Sequence, residues 1–353
     1  MHLNMAIHQS PVLSLHSRLV RHRAGLASPQ PCFTISEVSS RFPNDIVNAF
    51  CIDLEEWFHV CEISTPYDDP KTWETAQTCI VKDTEVILRL LDEAKVRATF
   101  LAVGWLAEHR RDLIKRISDA GHEIGCHTHF HRLVYELTPE EYETDLTRAL
   151  GALREVSGQA VAVFRAPGFS IKPSCFWAYP IMRRHGVMVD VSIVPAPRDH
   201  GGIDEFVRDP FILHTDEGTM KVFPMSIMTA FGQRIQFSGG GYLRLFTMPI
   251  IHYGFRQNHR AGRPVMTYIH PREVNPQQPR LQLPRLKSFK YYVNMETTED
   301  KLRAMLQSYR FGTVAEALAQ VEHYDEYQMV DGDIVPVREA VPHRSANVAQ
   351  GAD

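Results

Sequence analysis

The chain has 353 residues, 44% apolar and 23% charged, with a formal net charge of −4. That length supports one large domain with a sizeable core, and a charge balance with no basic excess gives no support to nucleic-acid binding. No apolar run is long enough to span a bilayer, so no transmembrane segment is expected.

Residues 1–45 contain Arg18, Arg21 and Arg23 but no acid before Glu37 and no apolar signal-peptide core. They read as a disordered extension ahead of a domain over 46–325, and the protein reads as cytoplasmic. None of the six cysteines forms a CxxC pair. They are expected as free thiols, with Cys51 and Cys126 as small core residues.

From residue 46 the pattern alternates strand and helix. Residues 46–52 form a short apolar run ending in acids. Val86, Ile87, Leu90, Leu91 and Ala94 share one face of a helix over 82–94. A strand over 97–103 and a helix over 110–120, stopped by Gly121, lead to a short strand over 122–126. Thr138, Pro139 and Glu141 make a capping box that opens a helix running to about Val156 and closed by Gly158. A strand over 161–164, a helix over 173–185 and a strand over 187–194 follow. Strands over 220–223 and 264–269 flank a helix over 247–260, and the last helix is 298–309. From 326 the sequence is polar and punctuated by proline, which predicts a loose tail over 326–353.

Repeated strand–helix alternation implies parallel strands in an α/β architecture, and about seven strands favour a barrel-like closure over an open sheet. In such barrels the carboxyl ends of the strands converge on the active site. Four clusters of ionisable residues fall at such ends. They are Asp53-Leu54-Glu55-Glu56, His127-Thr128-His129-Phe130-His131, Arg165-Ala166-Pro167 and His270-Pro271.

His127 and His131 are four apart, so in a helical turn both rings reach one metal ion, with His129 pointing elsewhere. A hydrolytic metal site needs a third ligand, and the acidic cluster offers it. Asp53 and Glu55 share a strand face, so one is placed to bind metal while the other takes a proton from water. That geometry favours Glu55 over Glu56, which reads as a solvated strand end. Arg165 needs a carboxylate partner if buried, and pairing with Asp53 would hold that acid ionised. His270 is placed as a general acid for a departing amine. Trp57, Trp73 and Tyr242 suit sugar stacking and core packing equally well.

The order and spacing of these motifs resemble the polysaccharide deacetylases with NodB homology, carbohydrate esterase family 4. Cys51-Ile52-Asp53-Leu54-Glu55-Glu56 resembles the family's acidic motif. His127 to His131 matches its His-Ser/Thr-x-x-His, Arg165-Ala166-Pro167 its Arg-x-Pro, and Tyr268-Ile269-His270 its last apolar–His motif. Asp53 to His59, Ser238 to Tyr242, His270-Pro271 and Phe289 to Asn294 are similar to the exosortase-associated exopolysaccharide subgroup, with a subgroup-specific C-terminal region from about 275. The acids are spread out where many members have adjacent aspartates, which leaves Glu55 and Glu56 to be separated. Val191 and Arg272 also depart from the subgroup.

The resemblance implies a distorted (β/α)7 barrel and N-deacetylation of an amino sugar in a bacterial exopolysaccharide or its precursor. One divalent ion, most readily Zn2+, is expected on Glu55, His127 and His131. Asp53 acts as base, Arg165 orients it, His270 acts as acid, and a backbone N–H near Gly168 or Phe169 meets the oxyanion. Two rivals follow from the same residues. One is a metal-dependent hydrolase of a cyclic imide or ureide; the other is a non-catalytic carbohydrate-binding protein. The completeness of the set Asp53, His127, His131, Arg165 and His270 speaks against the second.

Overall fold

The computed structural model describes residues 45–337 apart from Glu62, Asp199 and His200. The expected N-terminal extension lies outside the described residues, except for Asp45. In chain order the strands are β1 (Asn48–Leu54), β2 (Thr99–Ala102), β3 (Glu123–Cys126), β4 (Val163–Phe164), β5 (Val189–Asp190), β6 (Phe211–Thr215), β7 (Gly218–Val222), β8 (Ile227–Ala230), β9 (Gln233–Gln236), β10 (Met266–Ile269), β11 (Phe311–Gly312), β12 (Asp325–Val330) and β13 (Asp333–Pro336). The α-helices are α1 (Ile80–Ala94), α2 (Gly104–His109), α3 (Arg111–Asp119), α4 (Pro139–Ser157), α5 (Ala178–Arg184), α6 (Gly240–Leu245), α7 (Met248–His259), α8 (Arg285–Tyr292), α9 (Thr298–Ser308) and α10 (Val314–Ala319).

The fold is mixed α/β. Seven strands pair in parallel in the order β10-β1-β2-β3-β4-β5-β7. The short β11 pairs with the start of β1. Between β7 and β10 no ladder forms among the described residues. The seam is held by single bonds instead: Met225 N–H to Ile193 O at 2.8 Å, Met266 N–H to Ser226 Oγ at 2.9 Å, and Tyr268 N–H to Ser238 O at 3.2 Å. This interrupted closure is the distortion of the expected seven-stranded barrel.

Strand alternation divides the core in two. On β1, Phe50, Ile52 and Leu54 face the helices, whereas Ala49 and Cys51 join Leu101, Val163, Val191, Met266 and Tyr268 in the barrel interior. The interior is tight: a Cβ on Gly125 would lie 2.7 Å from Leu101 Cδ2 and 2.9 Å from Val163 O. Cys51 and Cys126 are fully buried free thiols, as their apolar neighbours predict.

The helices form where spacing and caps predict. Ile87, Leu90 and Leu91 bury one face of α1. The Thr138 hydroxyl accepts from Glu141 N–H at 3.2 Å, and Glu141 Oε2 accepts from Thr138 N–H at 2.9 Å, so both halves of the capping box form. Gly158 closes α4 at φ 68°.

Several boundaries differ. The helix expected over 110–120 is preceded by a separate one, α2, and the break falls at Arg110. The helix over 173–185 begins as a 3-10 turn at Pro173–Cys175 before α5. The tail expected from 326 is corrected at its start. β12 pairs in parallel with β6 and antiparallel with β13, and Tyr327 packs edge-on to Phe211 with ring centres 4.8 Å apart. From Glu326 on, β12 alternates exposed and half-buried residues near a sheet edge, which reads as polar chain in a hydropathy scan. The rest of the expected tail, from 338, lies outside the described residues.

Candidate active site

The same alternation that fills the interior sets the site. Each inward row of apolar residues ends in a polar one: Cys51 is followed two residues on by Asp53, Gly125 by His127, Val163 by Arg165, and Tyr268 by His270. All four lie at carboxyl ends of parallel strands of one sheet, on β10, β1, β3 and β4, with β2 between β1 and β3.

Asp53 and Arg165 meet: Arg165 Nη1–H donates to Asp53 Oδ1 at 2.5 Å, with both side chains buried. Arg165 also donates from Nε to Val191 O at 3.2 Å, and its guanidinium carbon sits 5.1 Å from the centre of the Phe169 ring. A guanidinium with a carboxylate, a carbonyl and aromatic faces around it is an adequately compensated buried cation.

Glu55, His127 and His131 form the second group. One ligand atom from each lies within 4.8 Å of the other two, and all three residues are buried. His131 Nε2 is 2.5 Å from Glu55 Oε2, and His127 Nε2 is 3.8 Å from it. His127 Nδ1–H donates to Arg165 O at 2.7 Å, which leaves Nε2 without a proton and turned to the cluster. Burial favours the neutral acid at Glu55, yet His131, His270 and His127 outweigh it and hold the carboxyl well below the usual range. The cluster therefore draws in positive charge. His131 Nε2 is turned into the cluster, against the Glu55 carboxylate. One carboxylate and two imidazoles converging at a buried point suit a divalent ion with open coordination positions.

The turn that brings the two imidazoles together is not helical. Residues 127–131 bend through left-handed backbone at Thr128, φ 61°, and His131, φ 54°. Asp145 on α4 holds this bend, accepting from His129 N–H at 2.6 Å and from Phe130 N–H at 3.1 Å. His129 points away, as predicted, although it is buried rather than solvated, with Nε2 3.7 Å from Glu108.

Glu56 turns off the site. Its carboxylate accepts from Cys79 N–H at 3.1 Å and Ile80 N–H at 3.3 Å, capping α1, whose Cys79 N-cap offers no side-chain bond of its own. Burial pushes the Glu56 carboxyl up to about 7.

His270 faces both acids, with Nε2 3.8 Å from Asp53 Oδ2 and 3.6 Å from Glu55 Oε1. Its Nδ1 lies 2.5 Å from Glu273 Oε1, and Glu273 Oε2 accepts from Arg244 Nε at 2.9 Å. Burial alone would lower the His270 pKa, but Glu55 and Glu273 raise it. Burial alone would raise the Glu273 carboxyl, but Arg244 and His270 bring it down to about 2. Sequence reasoning missed Glu273 and Arg244. The signal for Glu273 was its position three residues after His270, one 3-10 turn away. Nothing in the sequence pointed to Arg244.

Other expectations resolve differently. Trp57 and Trp73 are buried, and their indole N–H groups donate to Gln77 O at 2.8 Å and Tyr67 O at 2.7 Å, so both are core residues. Phe169 N–H is committed to Ala166 O at 3.0 Å, which removes it as an oxyanion donor.

Residues 67–185 match the polysaccharide deacetylase family model, and residues 191–319 match a domain of unknown function, DUF3473. The chain carries a polysaccharide deacetylase domain of the NodB-homology type. Of the site residues, the matched deacetylase segment contains His127, His131 and Arg165. Asp53 and Glu55 precede it, and His270, Glu273 and Arg244 belong to the DUF3473 segment. The chain is 29% identical over 122 residues to a peptidoglycan-N-acetylglucosamine deacetylase of Bacillus cereus, covering 34% of this chain and 42% of that protein. It is 26% identical over 128 residues to a chitooligosaccharide deacetylase of a Bradyrhizobium species, covering 35% of this chain and 56% of that protein. The chain thus spans roughly half the length of these curated relatives, or less. Among solved structures, a peptidoglycan deacetylase of Bacillus subtilis superposes with a TM-score of 0.41 at 16% identity, covering 78% of this chain and 92% of that one.

Proposed function

We propose that the protein is a metal-dependent deacetylase that hydrolyses N-acetyl groups on the amino sugars of a bacterial exopolysaccharide or its precursor. The observation that carries this reading is the meeting of three groups at one end of the barrel: the Asp53–Arg165 pair, the Glu55–His127–His131 cluster and the His270–Glu273 pair. The named relatives act on N-acetylated glycans, which supports an amino-sugar substrate. The likeness of Asp53 to His59 and of Ser238 to Tyr242 to the exopolysaccharide subgroup supports the finer assignment.

A divalent ion held by Glu55, His127 and His131, most readily Zn2+, supplies Lewis-acid polarisation of the acetamide carbonyl and activation of water. Asp53 accepts the proton of the attacking water through the oxygen that Arg165 leaves open, Oδ2. Arg165 holds the Asp53 carboxylate by Oδ1 and fixes its plane. Its acidic neighbours favour the protonated form of His270, which gives the Nε2 proton to the nitrogen as the C–N bond breaks. Glu273, itself anchored on Arg244, fixes the His270 ring so that Nε2 faces the site. Acetate and a free amine are the products. Cytoplasmic placement belongs to the same proposal, and the buried free thiols Cys51, Cys126 and Cys175 suit a reducing compartment.

The test is acetate release from a panel of N-acetylated oligosaccharides, chitooligosaccharides included, by protein loaded with zinc and then stripped by a chelator. The reading requires acetate release that stops on chelation and returns with metal. Hydrolysis of a cyclic imide or ureide with no acetate from any glycan would overturn it.

A further inference from the structure

Between Gly218 and Met295 the sequence contains eleven Lys or Arg but a single acid, Glu273, in a chain whose formal net charge is −4. Glu273 is buried and committed to His270 and Arg244, so no carboxylate side chain of this span reaches the surface. The exposed large apolar side chains concentrate in the same span. Phe231 is wholly exposed at the β8–β9 turn. Tyr242 and Leu245 on α6, Ile250 and Tyr253 on α7, and Leu286 and Phe289 on α8 are exposed as well.

These elements are continuous by contact. α7 supports the hairpin: Gln257 Oε1 accepts from Thr229 N–H at 2.6 Å, and Tyr253 OH donates to Thr229 O at 3.3 Å, two residues from Phe231. α6 runs into α7 and grips the end of α8, with Arg244 donating to Tyr291 O and Val293 O at 3.0 Å each. α8 buries none of its residues. Leu286 and Phe289, three apart, are 67% and 52% exposed, and Arg285 and Lys290 are exposed beside them. On α7, Ile250 and Tyr253 share one exposed face, and Arg260 lies exposed just beyond the helix end.

Apolar side chains standing beside cations on short helices, with no acid among them, match the boundary between anionic headgroups and acyl chains. Aromatic residues settle at headgroup level, and arginines there meet phosphate. The aliphatic members decide the partner. Leu245, Ile250 and Leu286 have no ring face to stack on a sugar, so a soluble anionic glycan would leave them in water. We propose that the surface formed by the β8–β9 hairpin, α6, α7 and α8 docks the protein on an anionic lipid bilayer. This surface adjoins the candidate active site, since Arg272, two residues from His270, stacks on Tyr291 at the end of α8 with 4.0 Å between guanidinium carbon and ring centre. The inference does not depend on the catalytic assignment.

Co-sedimentation of the full chain with vesicles of phosphatidylcholine alone, and of phosphatidylcholine mixed with phosphatidylglycerol, tests it. The protein should pellet with the mixed vesicles and stay in solution with phosphatidylcholine alone. Leu286→Ser with Phe289→Ser should weaken partitioning by about tenfold or more, since two apolar anchors are lost. Arg260→Gln with Arg285→Gln should weaken it by about fivefold for each cation removed. Val81→Ser with Met188→Ser, which removes exposed apolar residues elsewhere, should leave partitioning unchanged. The altered residues are exposed, and a melting temperature shared with the parent verifies the fold of each variant. Failure to pellet with either vesicle, equal pelleting with both, or no loss in the Leu286/Phe289 variant overturns the proposal. So does retention by a soluble anionic polysaccharide without vesicle binding.

Discussion

Glu55 and Glu56 are adjacent acids with opposite environments, and replacing each by alanine should separate two measurable quantities. Glu56 accepts from the N–H groups of Cys79 and Ile80 at 3.1 and 3.3 Å, at the start of α1. Removing a cap costs about 0.5–2 kcal/mol, and leaving a buried donor unpaired about 1–3 kcal/mol. Part of this is recovered, because burial makes the Glu56 charge costly in its own right, as its rise to about 7 shows. A net loss of about 1–2 kcal/mol follows, or roughly 2–4 °C in melting temperature for each kcal/mol. Bound metal should stay at one ion per chain. Glu55→Ala removes one of three ligands and should bring metal content to background at concentrations where the parent is loaded. Elemental analysis and thermal melts on the same preparations read both quantities. Stoichiometric metal in Glu55→Ala, or loss of metal in Glu56→Ala with its melt unchanged, would refute the division between ligand and cap.

His127→Ala and His131→Ala should each abolish metal binding, whereas His129→Ala should keep the metal and lose stability, because it empties a buried position; elemental analysis and melting decide this. Asp53→Asn should retain metal while turnover falls by about 10²–10⁴-fold on amide and ester alike. His270→Ala should fall comparably on the acetamide but much less on an aryl acetate, whose leaving group needs little protonation; equal losses on both would make His270 structural. Glu273→Gln leaves Arg244 buried without its carboxylate, a cost of about 3–5 kcal/mol near neutral pH. The Glu273 carboxyl titrates at about 2 in the fold, against 4.5 for an unperturbed glutamate. Its contribution, on the order of 3 kcal/mol, is therefore present above about pH 4.5 and lost as pH falls towards 2. The gap between parent and variant, followed by denaturant melts, should narrow over that window, and a constant gap would mean that Glu273 is not charged in the fold.

Local rules and global structure agree over much of the chain, and there the sequence is legible. Period-two alternation on β1 separates Phe50, Ile52 and Leu54 from Ala49, Cys51 and Asp53, so the inward row can be followed to its polar end by residue spacing alone. The capping box at Thr138 and Glu141 is equally local. What spacing does not reveal depends on contacts between distant segments. Asp145 bonds the backbone of His129 and Phe130 across α4, and it permits left-handed Thr128 and His131, which no propensity favours. The helical turn expected at 127–131 does not form: His127 and His131 are brought together by a braced bend instead. Arg244 reaches Glu273 across 29 residues, and Glu273 reaches His270 across three. Only the shorter link leaves a trace in spacing. The segment that matches a domain of unknown function is therefore not an appendage to the barrel. It supplies the proposed acid, the carboxylate that orients it and the arginine that anchors that carboxylate. A version of this protein truncated after residue 185 should be able to hold metal only if Asp53, Glu55 and the braced bend fold without β10. The parallel register of Cys51 with Tyr268 and of Ile52 with Ile269 argues that they do not.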